Sequence, residues 1–451
     1  MSSNTVTFKP TLILHGGAGN IKRETLPPDF YAKHYASLQA YLRATYALLK
    51  NGSTALDAAV HAVSLMEDDE LFNCGRGSVF TTAGTIEMEA SVMVTSIQDP
   101  DPSRPGEMKR GVGVIGVRNV RHPIYLAREH LLRTGCAPDG KPNYDGGNMH
   151  AQLAGPHVET LAREWGLEIK PDEWFWTQRR WDEHRRGLSG EAEPLSLSQG
   201  TVGCVCLDQW GNLAVATSTG GKTNKLPGRV GDTPTLGAGF WAEAWDELLS
   251  APTTFSDIAC LSAHNSPITL SKEGILKRAG GYVTEFALDP PPYSPHPINS
   301  NFANSGSVFE NQGLSFDRFS KHPRSVRRAI AVSGTGDGDS FLRLAAARTI
   351  GALAKQCGTH YSLHNAVEEI AGRGGQLQHL AGGRWSVTGE GEGGIIGIEA
   401  TQEYACSPAS GELRRGQVVW DFNCGGMWRA WIDEQNGEEV ERIMVFREEY
   451  K

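Results

Sequence analysis

Apolar runs of strand length alternate with longer stretches of helical spacing along most of the chain. Residues 10–15 (PTLILH) form a short apolar run entering Gly16-Gly17-Ala18-Gly19, and are expected to be a strand. Residues 31–50 carry apolar side chains at helical spacing and stop at Asn51-Gly52, and a second helix is expected over 53–69. Segment 72–93 (FNCGRGSVFTTAGTIEMEASVM) reads as a loop and then a hairpin turning at Ala83-Gly84. A Pro/Asp-rich loop at 98–109 precedes a buried strand at 111–117 (GVGVIGV), a helix at 124–133 and another at 156–165. From 171 to 200 the pattern breaks down into Trp and Arg followed by Gly, Glu, Pro and Ser, and this segment is expected to be a mobile linker.

The clearest pattern follows. Residues 201–208 (TVGCVCLD) and 213–218 (LAVATS) are nearly unbroken apolar runs joined at Gly211-Asn212, a pair that suits a tight hairpin turn. Continuous rather than alternating apolar character predicts a sheet covered on both faces. A hairpin centred near Trp210 sets Thr201 opposite Thr219 at the open end of the ladder. Arg229 and Asp232 follow in the next loop. An Arg fork matches a carboxylate and an Asp matches an ammonium, so the pair suits the zwitterionic end of an amino acid. A hydroxyl nearby then has the far end of the same molecule to attack. Further on, 329–356 (AIAVSGTGDGDSFLRLAAARTIGALAKQ) reads as strand, Gly-rich turn and helix, with backbone N–H groups at the junction able to hold negative charge. Residues 362–373 form one more helix, and GGIIGIEA, QVVWDFN and MWRAWI complete a sheet.

TVG at 201–203, TSTGG, LPGRVGD and SGTGDGDSF together resemble the plant-type L-asparaginase/isoaspartyl peptidase family of N-terminal nucleophile hydrolases, and HGGAG at 15–19 adds to the likeness. The resemblance implies a single α+β domain built as a four-layer αββα sandwich. It implies cleavage between Gly200 and Thr201 into an α chain (1–200) and a β chain (201–451), paired as a homodimer of αβ units. Thr201 would then be the nucleophile with its own α-amine as base; an N-terminal amine has an ordinary pKa of about 8, whereas a mid-chain Thr has no base attached. Thr219 would tune the nucleophile, the Thr335 hydroxyl and Gly336 N–H would form the oxyanion hole, and Arg229, Asp232, Gly336 and Gly338 would bind substrate. Asn73 would belong to a supporting loop beside the nucleophile. In that loop the main-chain carbonyls of Met66, Glu67, Asp69, Phe72, Cys74 and Arg76 would wrap a structural sodium ion; no cofactor is required for the chemistry. The implied activity is hydrolysis of the side-chain amide of L-asparagine and of β-aspartyl (isoaspartyl) peptides.

Three departures from the family pattern stand out. Val94-Thr95 replace its Asp-Gly, and Asn423-Cys424-Gly425-Gly426-Met427 alters its closing motif. A Pro-, Asn- and Ser-rich stretch at 246–328 occupies what is a short connection in relatives, and reads as a surface insertion.

Composition narrows the alternatives. The 451 residues carry a net charge of −9, which opposes non-specific nucleic-acid binding despite the Arg–Trp interleaving near 179–186. The eight cysteines form no CxxC pair, and Cys204 and Cys206 share one strand face, so reduced thiols and no zinc are expected. The first ten residues lack the hydrophobic segment of a signal peptide and no apolar run suffices to cross a membrane, which leaves a cytoplasmic reading and a small amino acid or dipeptide as the partner. Competing readings are a glycosylasparaginase, a threonine endopeptidase acting on proteins, and an uncleaved, inactive binding or scaffold homologue.

Overall fold

The structure, a computed structural model, describes residues 7–95, 110–133, 150–190, 200–248, 325–358, 360–403 and 413–450. The chain opens with β1 (Phe8–Lys9) and β2 (Thr11–Gly19), then α1 (Pro28–Lys50) and α2 (Ala55–Asp68). Pro28 starts α1 at the position where a missing N–H costs nothing, and its buried residues Leu38, Leu42, Tyr46 and Leu49 recur every three or four positions along one face. Thr54 caps α2, its hydroxyl accepting from Asp57 N. Next come β3 (Met88–Val94), β4 (Gly111–Val117), α3 (Pro123–Leu132), β5 (Gln152–Ala154), α4 (Pro156–Glu164), α5 (Asp172–Phe175) and α6 (Gln178–Ser189). The expected hairpin of 72–93 is present, Phe80 bridging to Ile86 across Gly84 at φ +72°. Strands β6 (Val202–Leu207), β7 (Leu213–Thr219), β8 (Phe240–Leu248) and β9 (Ser325–Gly336) follow, then helices α7 (Gly338–Leu344), α8 (Ala346–Gln356), α9 (Leu363–Ala371) and α10 (Gln376–Ala381). The chain closes with β10 (Gly393–Glu403), β11 (Arg414–Arg415), β12 (Gln417–Phe422), β13 (Gly426–Gln435) and β14 (Glu438–Met444).

An eight-stranded sheet in the order β14-β13-β2-β6-β7-β3-β4-β5 holds the central hairpin, and a four-stranded sheet runs β12-β10-β9-β8. Strand alternation sorts side chains into three buried clusters. Leu12, Leu14, Cys204 and Cys206 face α1 and α2, packing with Leu38, Leu42 and Val63. Ile13, Val205, Leu207 and Val215 point the opposite way and meet Phe240, Ala331, Ile396 and Ile398 of the four-stranded sheet. The other face of that sheet, with Ile330, Val332 and Ile395, packs on Ile350, Val367 and Ile370 of α8 and α9. Both faces of β6 and β7 are therefore covered, the physical reason for their unbroken apolar sequence. The mixture of helices and sheets is α+β, and no described helix is long and apolar enough to cross a membrane.

Two expectations need correction. Residues 171–190 are not irregular: α5 and α6 fill them, and Arg180 on α6 is wholly buried. Thr177 caps α6 and Gly190 ends it in the left-handed conformation. Residues 246–248 and 325–328 likewise belong to strands, because β8 and β9 pair without a break from Phe240↔Ser333 to Leu248↔Ser325. The expected loop at 98–109, the rest of the linker at 191–199 and the insertion between 249 and 324 lie outside the described residues.

Candidate active site

The β6–β7 ladder ends at Val202↔Ser218, so the next facing pair is Thr201 and Thr219, as the sequence register required. At the other end Gly211 takes φ +89°, while the Asp208 carboxylate accepts from Trp210 N and Asn212 N and closes the turn. Both candidate hydroxyl residues are buried, Thr201 at 6% exposure. They do not bond each other: Thr219 Oγ1 accepts from Gly221 N at 2.9 Å, whereas Thr201 Oγ1 lies 2.8 Å from Thr233 Oγ1. Thr233 was not foreseen.

Gly200 explains its own identity. A Cβ there would stand 2.3 Å from Thr335 Oγ1, 2.7 Å from Ala18 N and 3.0 Å from Gly17 Cα. The 200–201 peptide is thus wedged between the Gly-rich end of β2 and the end of β9. Thr335 and Gly336 sit in the last two register positions of β9 against Gly394 and Gly393. Gly336 adopts φ +146° and passes so close to Glu392 that no side chain fits. His15 bonds the Thr201 main chain; its Nε2 is 2.7 Å from Ser333 Oγ, and burial lowers its pKa to about 3 against the weaker opposing effect of that main-chain bond. It is neutral at pH 7.

The loop after β7 brings Arg229 and Asp232 to the N-terminal end of α7. A Cβ on Gly338 would meet Asp232 Oδ1 at 2.4 Å and Arg229 Nη2 at 3.1 Å, so a glycine there leaves the two charges room to converge. Arg229 Nη2 donates to Asp339 Oδ1 at 3.0 Å, a partner the sequence reading missed although it stands in the same TGDGD motif. Lys222 bonds Asp337 Oδ1 at 2.7 Å and approaches Asp339 at 3.5 Å. Asp232 Oδ2 is buried with no hydrogen-bond partner among the described residues. Burial raises the Asp232 pKa to about 7; Arg229 pulls it down, and Glu89 adds to the rise. A buried, half-satisfied carboxylate beside a guanidinium is suited to receive a cation.

Asn73 ties the supporting loop to the hairpin. Its Nδ2 donates to Gly221 O at 2.7 Å, its Oδ1 accepts from Val79 N, and its carbonyl accepts from Gly220 N. Within that loop, the Glu67 and Phe72 carbonyls lie 2.1 and 2.0 Å from where a Cβ would stand on Gly75 and Gly77. Two of the six carbonyls expected to hold sodium thus pack against glycines, while those of Met66, Asp69 and Cys74 accept from Asp69 N, Phe72 N and Gly77 N within the loop. The Glu67 side chain is engaged elsewhere, accepting from Ser218 Oγ and Ile124 N, and burial raises its pKa. No cluster of His, Cys, Asp or Glu with metal-ligand geometry occurs among the described residues.

Helix α6 braces both loops. Arg179 Nη2 donates to the Glu70 and Leu71 carbonyls, and Arg180 Nε to Gly77 O at 2.7 Å with Nη1 on Glu183. On the other side His184 Nδ1 is 2.5 Å from Asn224 Oδ1, and Asn224 Nδ2 donates to His184 O. Arg180→Met is expected to lower stability by about 3 kcal/mol, because it strands a buried carboxylate and a carbonyl; a melting curve checks it. Of the two departures within reach, Thr95 closes the β3–β7 ladder on Leu213. Cys424 is half-buried, its Sγ on Gly426 O, and burial raises the thiol pKa to about 12.

Comparison with known proteins gives the family. A family model described as asparaginase matches residues 8–251. A putative isoaspartyl peptidase/L-asparaginase of Dictyostelium discoideum is 36% identical over 270 residues, covering 52% of this chain and 71% of that protein. An isoaspartyl peptidase of Escherichia coli is 36% identical over 243 residues, covering 52% and 68%. An isoaspartyl peptidase/L-asparaginase of Macaca fascicularis is 32% identical over 334 residues, covering 73% and 89%. The chain belongs to this asparaginase family of N-terminal nucleophile hydrolases.

Proposed function

We propose that the chain is a self-cleaving amidohydrolase that acts on the side-chain amide of L-asparagine and on β-aspartyl peptides. Its frame is a four-layer αββα sandwich, a reading supported by three buried clusters that stack helices, sheet, sheet and helices in turn. The observation that carries the functional reading is the convergence on Gly200. The Thr335 hydroxyl lies against Gly200, and Thr201, the next residue, bonds Thr233 beside Asp232, while Arg229 and Asp232 gather at Gly338.

In the first step Thr201 Oγ attacks the Gly200 carbonyl carbon, and the Gly200–Thr201 amide becomes an ester with a free Thr201 amine. Water then splits the ester, leaving a carboxylate on Gly200 and an N-terminal Thr201. In turnover Arg229 holds the substrate α-carboxylate, with Asp339 fixing one end of the guanidinium, and Asp232 holds the α-ammonium. Thr201 Oγ attacks the side-chain amide carbon while its α-amine takes the proton and returns it to the leaving nitrogen. Thr335 and the Gly336 N–H stabilise the oxyanion, an interaction worth about 3 kcal/mol per donor. Water releases aspartate, and the other product is ammonia or an amine. A sodium ion in the Met66–Arg76 carbonyl cradle would order the loop bearing Asn73 and take no part in bond making. The active assembly is a pair of αβ units.

Intact mass after incubation tests the proposal, together with ammonia release from asparagine. Two fragments meeting at Gly200–Thr201, and turnover that appears in step with them, are expected. Full turnover by an uncut chain overturns the reading.

A further inference from the structure

We propose that Thr233 is the positioning residue of the nucleophile: its hydroxyl fixes Thr201 Oγ on the line of attack and couples that alignment to the ammonium subsite. The inference rests on Thr201 being the nucleophile. Thr219 faces Thr201 across the ladder, but its hydroxyl accepts from Gly221 N and makes no hydrogen bond to Thr201. The side chain that does reach Thr201 Oγ1 is Thr233, at 2.8 Å and with no solvent exposure.

Thr233 is held from behind. Its carbonyl accepts from Ser91 Oγ at 2.6 Å and from Thr217 Oγ1 at 3.4 Å, and those two hydroxyls lie 2.5 Å apart across β3 and β7. On either side, Asp232 O accepts from Thr235 N and Gly239 N, and Thr235 Oγ1 donates to Gly231 O. The segment is therefore fixed to the same eight-stranded sheet that carries Thr201. A β-branched side chain on such a backbone has few rotamers, so the hydroxyl keeps its direction.

Proton accounting gives the bond its sense. Once Thr201 is N-terminal, its Oγ–H donates to its own amine, so Thr233 O–H donates to a lone pair of Thr201 Oγ. This leaves the remaining lone pair for the substrate carbon. Thr233 also directly follows Asp232. A substrate ammonium that draws on the Asp232 carboxylate acts on the residue joined to the one that aims the nucleophile. Occupancy and alignment share one peptide link.

Thr233→Val keeps the shape and removes the donor, while Thr233→Ser keeps the donor. Each is to be incubated until cleavage stops, and kcat and KM for asparagine are then expressed per cut chain. The valine variant is expected to cut itself more slowly and to lose about 10- to 100-fold in kcat, the usual effect of leaving a buried hydrogen-bonding group without its partner. Its KM is expected to stay within about twofold, and the serine variant to recover most of kcat. A folded valine variant that never cuts, beside a serine variant that does, also supports the role. Wild-type kcat in the valine variant, a loss confined to KM, or equal damage in both variants overturns it. Thr201→Ala in the same assay separates the two failures: if it retains activity the nucleophile itself is wrong, and if it is inactive beside a normal valine variant only the role of Thr233 falls.

Discussion

Thr201→Ala is expected to remain a single chain of 451 residues and to lose activity by a factor on the order of 10⁴ or more. Denaturing electrophoresis and ammonia release read the two effects in one preparation. Their joint loss would follow from one atom serving both proposed attacks, first on the Gly200 carbonyl and then on the substrate. On the proposed mechanism the surroundings also explain why turnover would wait for the cut. A threonine hydroxyl is a poor nucleophile without a base, and His15, the histidine held against this peptide, is committed to Ser333 and kept neutral by burial with a pKa near 3. Such an imidazole is too weak a base at pH 7 to activate a hydroxyl. An amine released at Thr201 would supply what is missing for turnover. Gly200→Ala isolates this point, because its methyl would collide with Thr335 Oγ1 and Ala18 N while leaving the Thr201 hydroxyl intact. An uncut, inactive Gly200→Ala protein ties activity to the freed amine; an uncut protein with full turnover excludes it.

Much of this site was legible because the hairpin is local. Gly211 and the apolar arms set a register in which only one residue of β7 faces Thr201, and Thr219 is that residue. The turn itself depends on Asp208, which reads as a strand-end polar residue until its carboxylate is seen accepting two main-chain N–H groups. Thr233 and Asp339 were missed for a different reason. Each acts through a contact with a residue tens of positions or more away, Thr201 and Arg229, and nothing in the neighbouring sequence marks a hydroxyl or carboxylate for such a partner. Helix α6 was hidden by its arginines. A pattern that assigns every Arg to the surface finds no buried face in 178–189, yet Arg180 is buried with its Nε on a main-chain carbonyl and its Nη1 on Glu183. The ends of β8 and β9 were lost in the same way, their short strand pattern overshadowed by the Pro-, Asn- and Ser-rich sequence between them.

Arg229→Ala is expected to lower kcat/KM for asparagine by about 10²- to 10³-fold, mostly through KM, since on the proposed mechanism it removes the cation opposite the α-carboxylate. Asp232 gives the companion prediction a pH dependence with a definite sign. Burial raises its pKa to about 7 in the free protein, so below that pH it is protonated and offers an ammonium no charge. KM is therefore expected to fall as pH rises from roughly 6 to 8, and binding of the substrate ammonium to expel a proton over the same range. Folding runs the other way. The folded state holds the Asp232 proton more tightly than the unfolded chain, whose pKa is near 3.8, so this residue's stabilising contribution is complete below about pH 4 and is lost as pH climbs through 7. Asp232→Asn removes both effects: it is expected to bind asparagine poorly at every pH and to melt higher than the parent at pH 8. Above pH 7 the protein thus retains a buried carboxylate whose charge is costly to the fold, as expected of a group that meets a cation during turnover. A parent KM that is flat between pH 6 and 8, with an Asn variant of undiminished affinity, would assign the ammonium to another group.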